Sequence, residues 1–140
     1  MYYMTFETLR HHCDLRQQLE KHEDLLCELR HSAQAANHAP NGMPRTTGVS
    51  DKVGTLAIAI VDLEERIAYL KKTIAAEEED ISAWIGSIED PLTRQIFRLR
   101  FLCGLQWADV AQTVGGRNTA PSVKMVCSRY LDRQRTAEDK

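Results

Sequence analysis

Apolar residues recur along much of this chain with helical spacing. The clearest pattern lies over residues 52–88. One heptad position reads Val53, Ile60, Ile67, Ile74, Ile81, Ile88, and the position three residues on reads Leu56, Leu63, Leu70, Glu77, Trp84. β-Branched residues at one seam position with Leu at the other are the pattern of a two-stranded coiled coil. Glu77 is the flaw in the seam, and it opens the acidic run Glu77-Glu78-Glu79-Asp80, which reads as a solvated face.

A weaker stripe precedes it. Leu15, Leu19, Leu26 and Leu29, extended by Ala33 and Ala36, predict a helix over residues 5–36 with Thr5 as N-cap, interrupted by His12 and His22. Residues 37–51 hold two Pro, two Gly and several small polar side chains, which predicts a loop. Ser50 then caps the next helix, with Asp51 near its positive end. The seam needs a partner. The first helix folded back as an antiparallel hairpin supplies one, the same helix of a second copy another, and the two combine in a four-helix dimer.

Past residue 88 the helices become short. Asp90-Pro91 is an N-cap followed by a proline at the first helical position. The helix it starts carries Leu92, Ile96, Leu99 and Cys103 on its expected buried face and ends at Gly104. Trp107–Val114 forms the next helix, with Asp109 near its start and Gln106 as a poor cap. Ala111 followed four residues later by Gly115 marks a helix-turn-helix: the small side chain lets two helices cross closely, and the glycine supplies a positive φ. Asn118 or Thr119 caps the third helix, Pro121 is tolerated in its first turn, and Val123, Val126, Cys127 and Tyr130 line its inner face. Lys124, Met125, Ser128 and Arg129 then point outward, with Arg117, Asn118, Thr119 and Ser122 at the N-terminal end that in such motifs reaches base edges. Val123 lies twelve positions after Ala111, against about ten in the tight form of the motif, so the turn is expected to be longer.

Charge supports the division. The 140 residues carry a net −2, yet Met1–Asp90 holds 9 Lys+Arg against 16 Asp+Glu, whereas Pro91–Arg135 holds 8 against 2. A local excess of +6 attracts a phosphate backbone. On the outer face of the first short helix, Arg94 and Arg98 are further candidate DNA contacts. Arg100, nearer the buried face, is expected to be a structural ion-pair partner, and Trp107 a core residue.

The stretch from Leu105 through Lys124, continuing to Arg129-Tyr130-Leu131, resembles a family of short phage and prophage proteins of Gram-positive bacteria. Their C-terminal part is similar to region four of sigma factors, which reads the −35 promoter element. The matching residues are Gly115-Gly116-Arg117-Asn118-Thr119 and the closing Arg129-Tyr130-Leu131. Members also carry an N-terminal helical pair, so the resemblance covers most of the chain. It implies a transcription regulator.

Other chemistries are absent from the pattern. His11-His12-Cys13 are neighbours on a helix, point in different directions and do not converge on a metal. Four dispersed cysteines without a CxxC pair read as reduced thiols of a cytoplasmic protein. No signal peptide, membrane span, phosphate loop or catalytic constellation stands out, so neither an enzyme nor a cofactor is expected.

The expected fold is all-α: a long antiparallel coiled-coil hairpin over 1–88, a helix-turn-helix domain over 89–135 and a disordered tail over 136–140. The expected function is a sequence-specific, double-stranded-DNA-binding regulator, acting as a homo-oligomer through the coiled coil or together with RNA polymerase. A DNA-packaging adaptor similar to a small terminase subunit, and a protein-interaction module that binds no DNA, are the alternatives.

Overall fold

The computed structural model describes residues 4–37 and 47–138, except for the side chains at 37, 47–51 and 138. Among them, all regular structure is helical: α1 (Phe6–Asn37), α2 (Thr47–Gly86), α3 (Pro91–Phe97) continued by a π-helical turn (Arg98–Leu102), α4 (Trp107–Val114) and α5 (Ala120–Glu138). No helix among the described residues is long and apolar enough to cross a membrane.

The helix boundaries follow local chemistry. The Thr5 hydroxyl accepts from the Thr8 amide at 3.1 Å and so caps α1. Helix α2 begins at Thr47, ahead of the expected cap at Ser50, because no proline after Pro44 interrupts the chain there. Residues 38–46 of the expected loop lie outside the described residues. At the other end α2 stops at Gly86. Ser87 and Ile88 then donate back to the carbonyls of Trp84 and Ile85 at 3.0 Å each, tightening the last turn. Thr136–Glu138, expected as part of a disordered tail, continue α5, and the last two residues lie outside the described set.

The chain forms two compact units, Leu15–Thr73 and a second made of Met1–Asp14 with Ile74–Lys140. Helices α1 and α2 each pass from one unit into the other. In the first unit the two helices run antiparallel, with Arg30 opposite Glu64 at 3.1 Å and Lys71 opposite Glu23 at 3.5 Å. These exposed pairs set register and contribute little energy. Leu15, Leu26, Ile67 and Leu70 are buried between the helices, while Val53, Leu56, Ile60 and Leu63 are only half-buried.

The second unit is organised by one continuous core. Leu9 of α1, Ile81 and Ile85 from the end of α2 and Ile88 just after it pack with Ile96, Phe97, Phe101, Val110, Ala111, Val123, Cys127 and Leu131. A boundary between residues 88 and 89 would cut this core in two. The buried face of α3 also differs from expectation. Thr93, Ile96, Phe97 and Phe101 are inside, whereas Leu92 and Cys103 are exposed. Two phenylalanines bury more area than the stripe they displace. The π-helical turn, closed by the Cys103 amide on the Arg98 carbonyl at 3.0 Å, adds one residue per turn and rotates Cys103 off the face.

The two interruptions of the hairpin seams meet each other. His12 is fully buried, and its Nδ1 lies 3.2 Å from Glu77 Oε1. Glu77, read as the start of a solvated run, is therefore half-buried and engaged. The other ring nitrogen, Nε2, is buried with no hydrogen-bond partner.

Two predictions follow from this packing. A fragment of residues 89–138 lacks five buried side chains, Met4, Leu9, Ile81, Ile85 and Ile88. Each aliphatic burial is worth about 1.5–3 kcal/mol, so their loss is comparable with the whole stability of a domain, about 5–15 kcal/mol. The fragment should show no cooperative thermal transition by circular dichroism, and a cooperative one at the full chain's temperature would restore the boundary at 88. Separately, His12→Leu and Glu77→Leu should each destabilise by about 1–3 kcal/mol, because each leaves a polar partner stranded. The double variant should recover wild-type stability or exceed it. Denaturant titration of all four proteins reads the coupling, and simple additivity would mean that the pair does not interact.

Candidate nucleic-acid interface

The interface is built outward from the α3–α5 core. Asp90 accepts from the Thr93 amide at 3.0 Å and the Thr93 hydroxyl at 2.6 Å. These two bonds to the ionised form hold its carboxyl below the usual aspartate value. Gly104, at φ +75°, turns the chain out of the π-helical turn. Arg100, expected as an ion-pair partner, has no carboxylate partner among the described residues: its guanidinium donates to the Leu105 carbonyl at 2.8 Å and stacks over Trp107 at 4.8 Å. Trp107 itself is half-buried against the core, edge-on to Phe101.

Helix α4 ends at Ala111–Gly115. Ala111 is 5% exposed, and the Gly115 amide caps its carbonyl at 3.0 Å. Gly115 and Gly116 both take positive φ, +77° and +68°. Five residues, 115–119, connect the helices, a longer link than the usual three or four. Asn118 braces that link by donating its amide to the Gly115 carbonyl at 2.9 Å. Thr119 is the cap of α5: its hydroxyl accepts from the Ser122 amide at 3.3 Å, and Ser122 Oγ accepts from the Thr119 amide at 2.8 Å. This is a reciprocal cap of the capping-box kind, with serine in the usual place of glutamate.

Helix α5 turns Val123, Cys127 and Leu131 fully inward and half-buries Val126 and Tyr130. Burial pushes the Cys127 thiol up to about 12, against a smaller opposing effect of Arg100. Burial also raises Tyr130, with Glu89 adding to the effect and Arg133 opposing it. Gln134 ties the helix down, donating to the Tyr130 hydroxyl at 3.0 Å and accepting from the Trp84 indole at 3.3 Å.

No family model, curated protein or solved structure matches the chain.

The residues predicted from sequence to contact DNA fall into three groups. Arg117, Thr119, Met125 and Arg129 are exposed, and Ser122 and Asn118 half-buried, on the link and the outer side of α5. The hydroxyls of Ser122 and Thr119 are each bonded to the other residue's backbone, and Asn118 to the link. Lys124 and Ser128, one turn apart, form a second row. They line a groove of about 530 Å³ whose opposite wall is Met4–Arg10 of the α1 start. Arg94 and Arg98 lie on α3 and the turn after it. Arg98 is exposed, but Arg94 is half-buried and donates to the Ile88 carbonyl at 3.0 Å, so its guanidinium holds the α2–α3 corner.

The α1 start was not anticipated here. Met4, Phe6 and Leu9 are apolar and precede the Leu15 stripe, which is the signal that marks them as packed. Among residues 98–135, Arg98, Arg117, Lys124, Arg129, Arg133 and Arg135 are exposed cations, against the exposed carboxylates of Asp109 and Asp132.

The inward face of α5 makes a thiol prediction. A thiol displaced to about 12 holds almost no thiolate at neutral pH. Exposed Cys27 and Cys103 should be alkylated quickly by iodoacetamide, half-buried Cys13 more slowly, and Cys127 only after unfolding. Peptide mapping of a native time course checks the order. Early labelling of Cys127 would mean that α5 does not pack as described.

Proposed function

We propose that residues 89–138 act as a helix-turn-helix that binds double-stranded DNA, with α5 as the reading helix, in a transcription regulator. The observation that carries this reading is the outer face of α5 and its link. It is a helix held by a mainly apolar inner face, which presents Met125 and Arg129 with Arg117 beside its capped N-terminus and Lys124 on the adjoining row. A crossing made by a small residue and a positive-φ glycine supports it. So does the charge of residues 91–135, against an acidic remainder of the chain. The resemblance to the phage proteins with a sigma region four-like end agrees with the longer link.

A single reading helix of this size binds DNA weakly, so a second contact is required for useful affinity. The coiled-coil hairpin of α1 and α2 is the proposed source. Its seam is buried within the chain at Ile67, Leu70 and Ile74 and half-buried from Val53 to Leu63, and Ile58 and Tyr69 are 67% and 60% exposed on the opposite side of α2. That surface suits a second copy or RNA polymerase.

Equilibrium binding of the full chain to duplex DNA tests the reading. With about four phosphates contacted, log K should fall with log salt at a slope near about −3.6. Arg129→Ala should lower affinity for a selected site by about 1–3 kcal/mol, and Lys124→Ala should weaken all sequences alike. A flat salt response, or wild-type affinity in the double variant, would sink the proposal. Selection from a random DNA pool, with and without bacterial RNA polymerase, then separates a self-sufficient regulator from one that works through polymerase.

A further inference from the structure

We infer that the first turns of α1 belong to the DNA-binding surface, with Arg10 contacting a backbone phosphate across the groove from Lys124 and Ser128; this inference rests on the DNA-binding reading of α5. Helix geometry separates two rows on that helix. Met125 and Arg129 form one row and Lys124 and Ser128 the next, about 100° around the axis. A helix lying in the major groove presents its central row to base edges and its flanking rows to the phosphates on either side. Lysine and serine are side chains of the kind that contact phosphate.

The flanking row borders a groove. It forms one wall of the groove of about 530 Å³, and Arg10 and Phe6 belong to the opposite wall. Arg10 is exposed, and its guanidinium is seated over the Phe6 ring at 5.3 Å, which holds it at the groove. A phosphate brought to Lys124 by the reading helix therefore comes into the space that Arg10 borders. Arg135 also lines the groove, as do the carboxylates of Glu7 and Asp132. Three cations against two carboxylates concentrate anions only weakly. The groove therefore accepts a phosphate that the neighbouring helix delivers and does not act as an independent anion site.

The salt dependence of full-chain binding to a short random-sequence duplex, from about 50 to about 200 mM salt, tests this. Arg10→Gln should make the slope shallower by about 0.9, the value of one phosphate contact. Arg10→Lys should keep the wild-type slope. Arg30→Gln, the same charge change in the other unit, should also keep it. A wild-type slope in Arg10→Gln, or an equal loss in Arg30→Gln, would overturn the inference while leaving the reading of α5 intact. Absence of salt-sensitive binding by the wild-type chain would remove both.

Discussion

The second unit depends on the position of Phe97. Its ring meets Trp84 of α2 edge-on at 5.1 Å, Phe101 of the following turn at 5.8 Å and Tyr130 of α5 at 5.7 Å. The end of α2, the turn that continues α3 and the more distant α5 converge on one fully buried side chain. Aromatic pairs of this geometry contribute about 0.5–1.5 kcal/mol each beyond the area they bury. Helices of seven and eight residues are too short to be stable alone. They persist here because the long helices extend their apolar faces into the same core. The outer face of α5 is consequently presented by a scaffold that includes the start of α1.

Among the described residues, two buried side-chain nitrogens lack a partner, His12 Nε2 and Arg100 Nε, although each residue makes another polar contact at a joint of the scaffold. Arg94 and Arg100 point to backbone carbonyls at the two corners of α3. His12 answers Glu77 where each breaks an otherwise apolar stripe. Buried polar pairs of this kind add little net stability, but either partner alone is costly, so they penalise a slipped register. One residue of slip between α1 and α2 would separate His12 from Glu77 and leave both buried or half-buried groups without a partner.

Much of the architecture was legible in the sequence where the code is local. The Asp90-Pro91 start, the Gly104 stop, the end of α4 at Gly115 and the inward residues of α5 all depend on neighbours within one or two turns. The face of α3 was not legible, because two apolar stripes compete on it, and the π-helical turn that decides between them has no sequence signature of its own. The grouping of Met4–Arg10 with α5 was not legible either, since it joins residues more than a hundred positions apart. Of the candidate interface, the residues themselves could be named. The commitments of Arg94, Asn118, Thr119 and Ser122 to backbone and to one another needed coordinates.

Gly115 shows what kind of information the link carries. Its backbone, at φ +77° and ψ −162°, is the mirror image of the extended conformation that left-handed amino acids prefer. Nothing lies within 4 Å of the position that a Cβ would take there. The site therefore discriminates by handedness and not by size. Alanine, serine and leucine meet the same backbone penalty, of about 1–3 kcal/mol, however much room surrounds them. A residue of D configuration would occupy the same dihedral angles in its relaxed basin, so this corner of the molecule is one where chirality alone does the selecting.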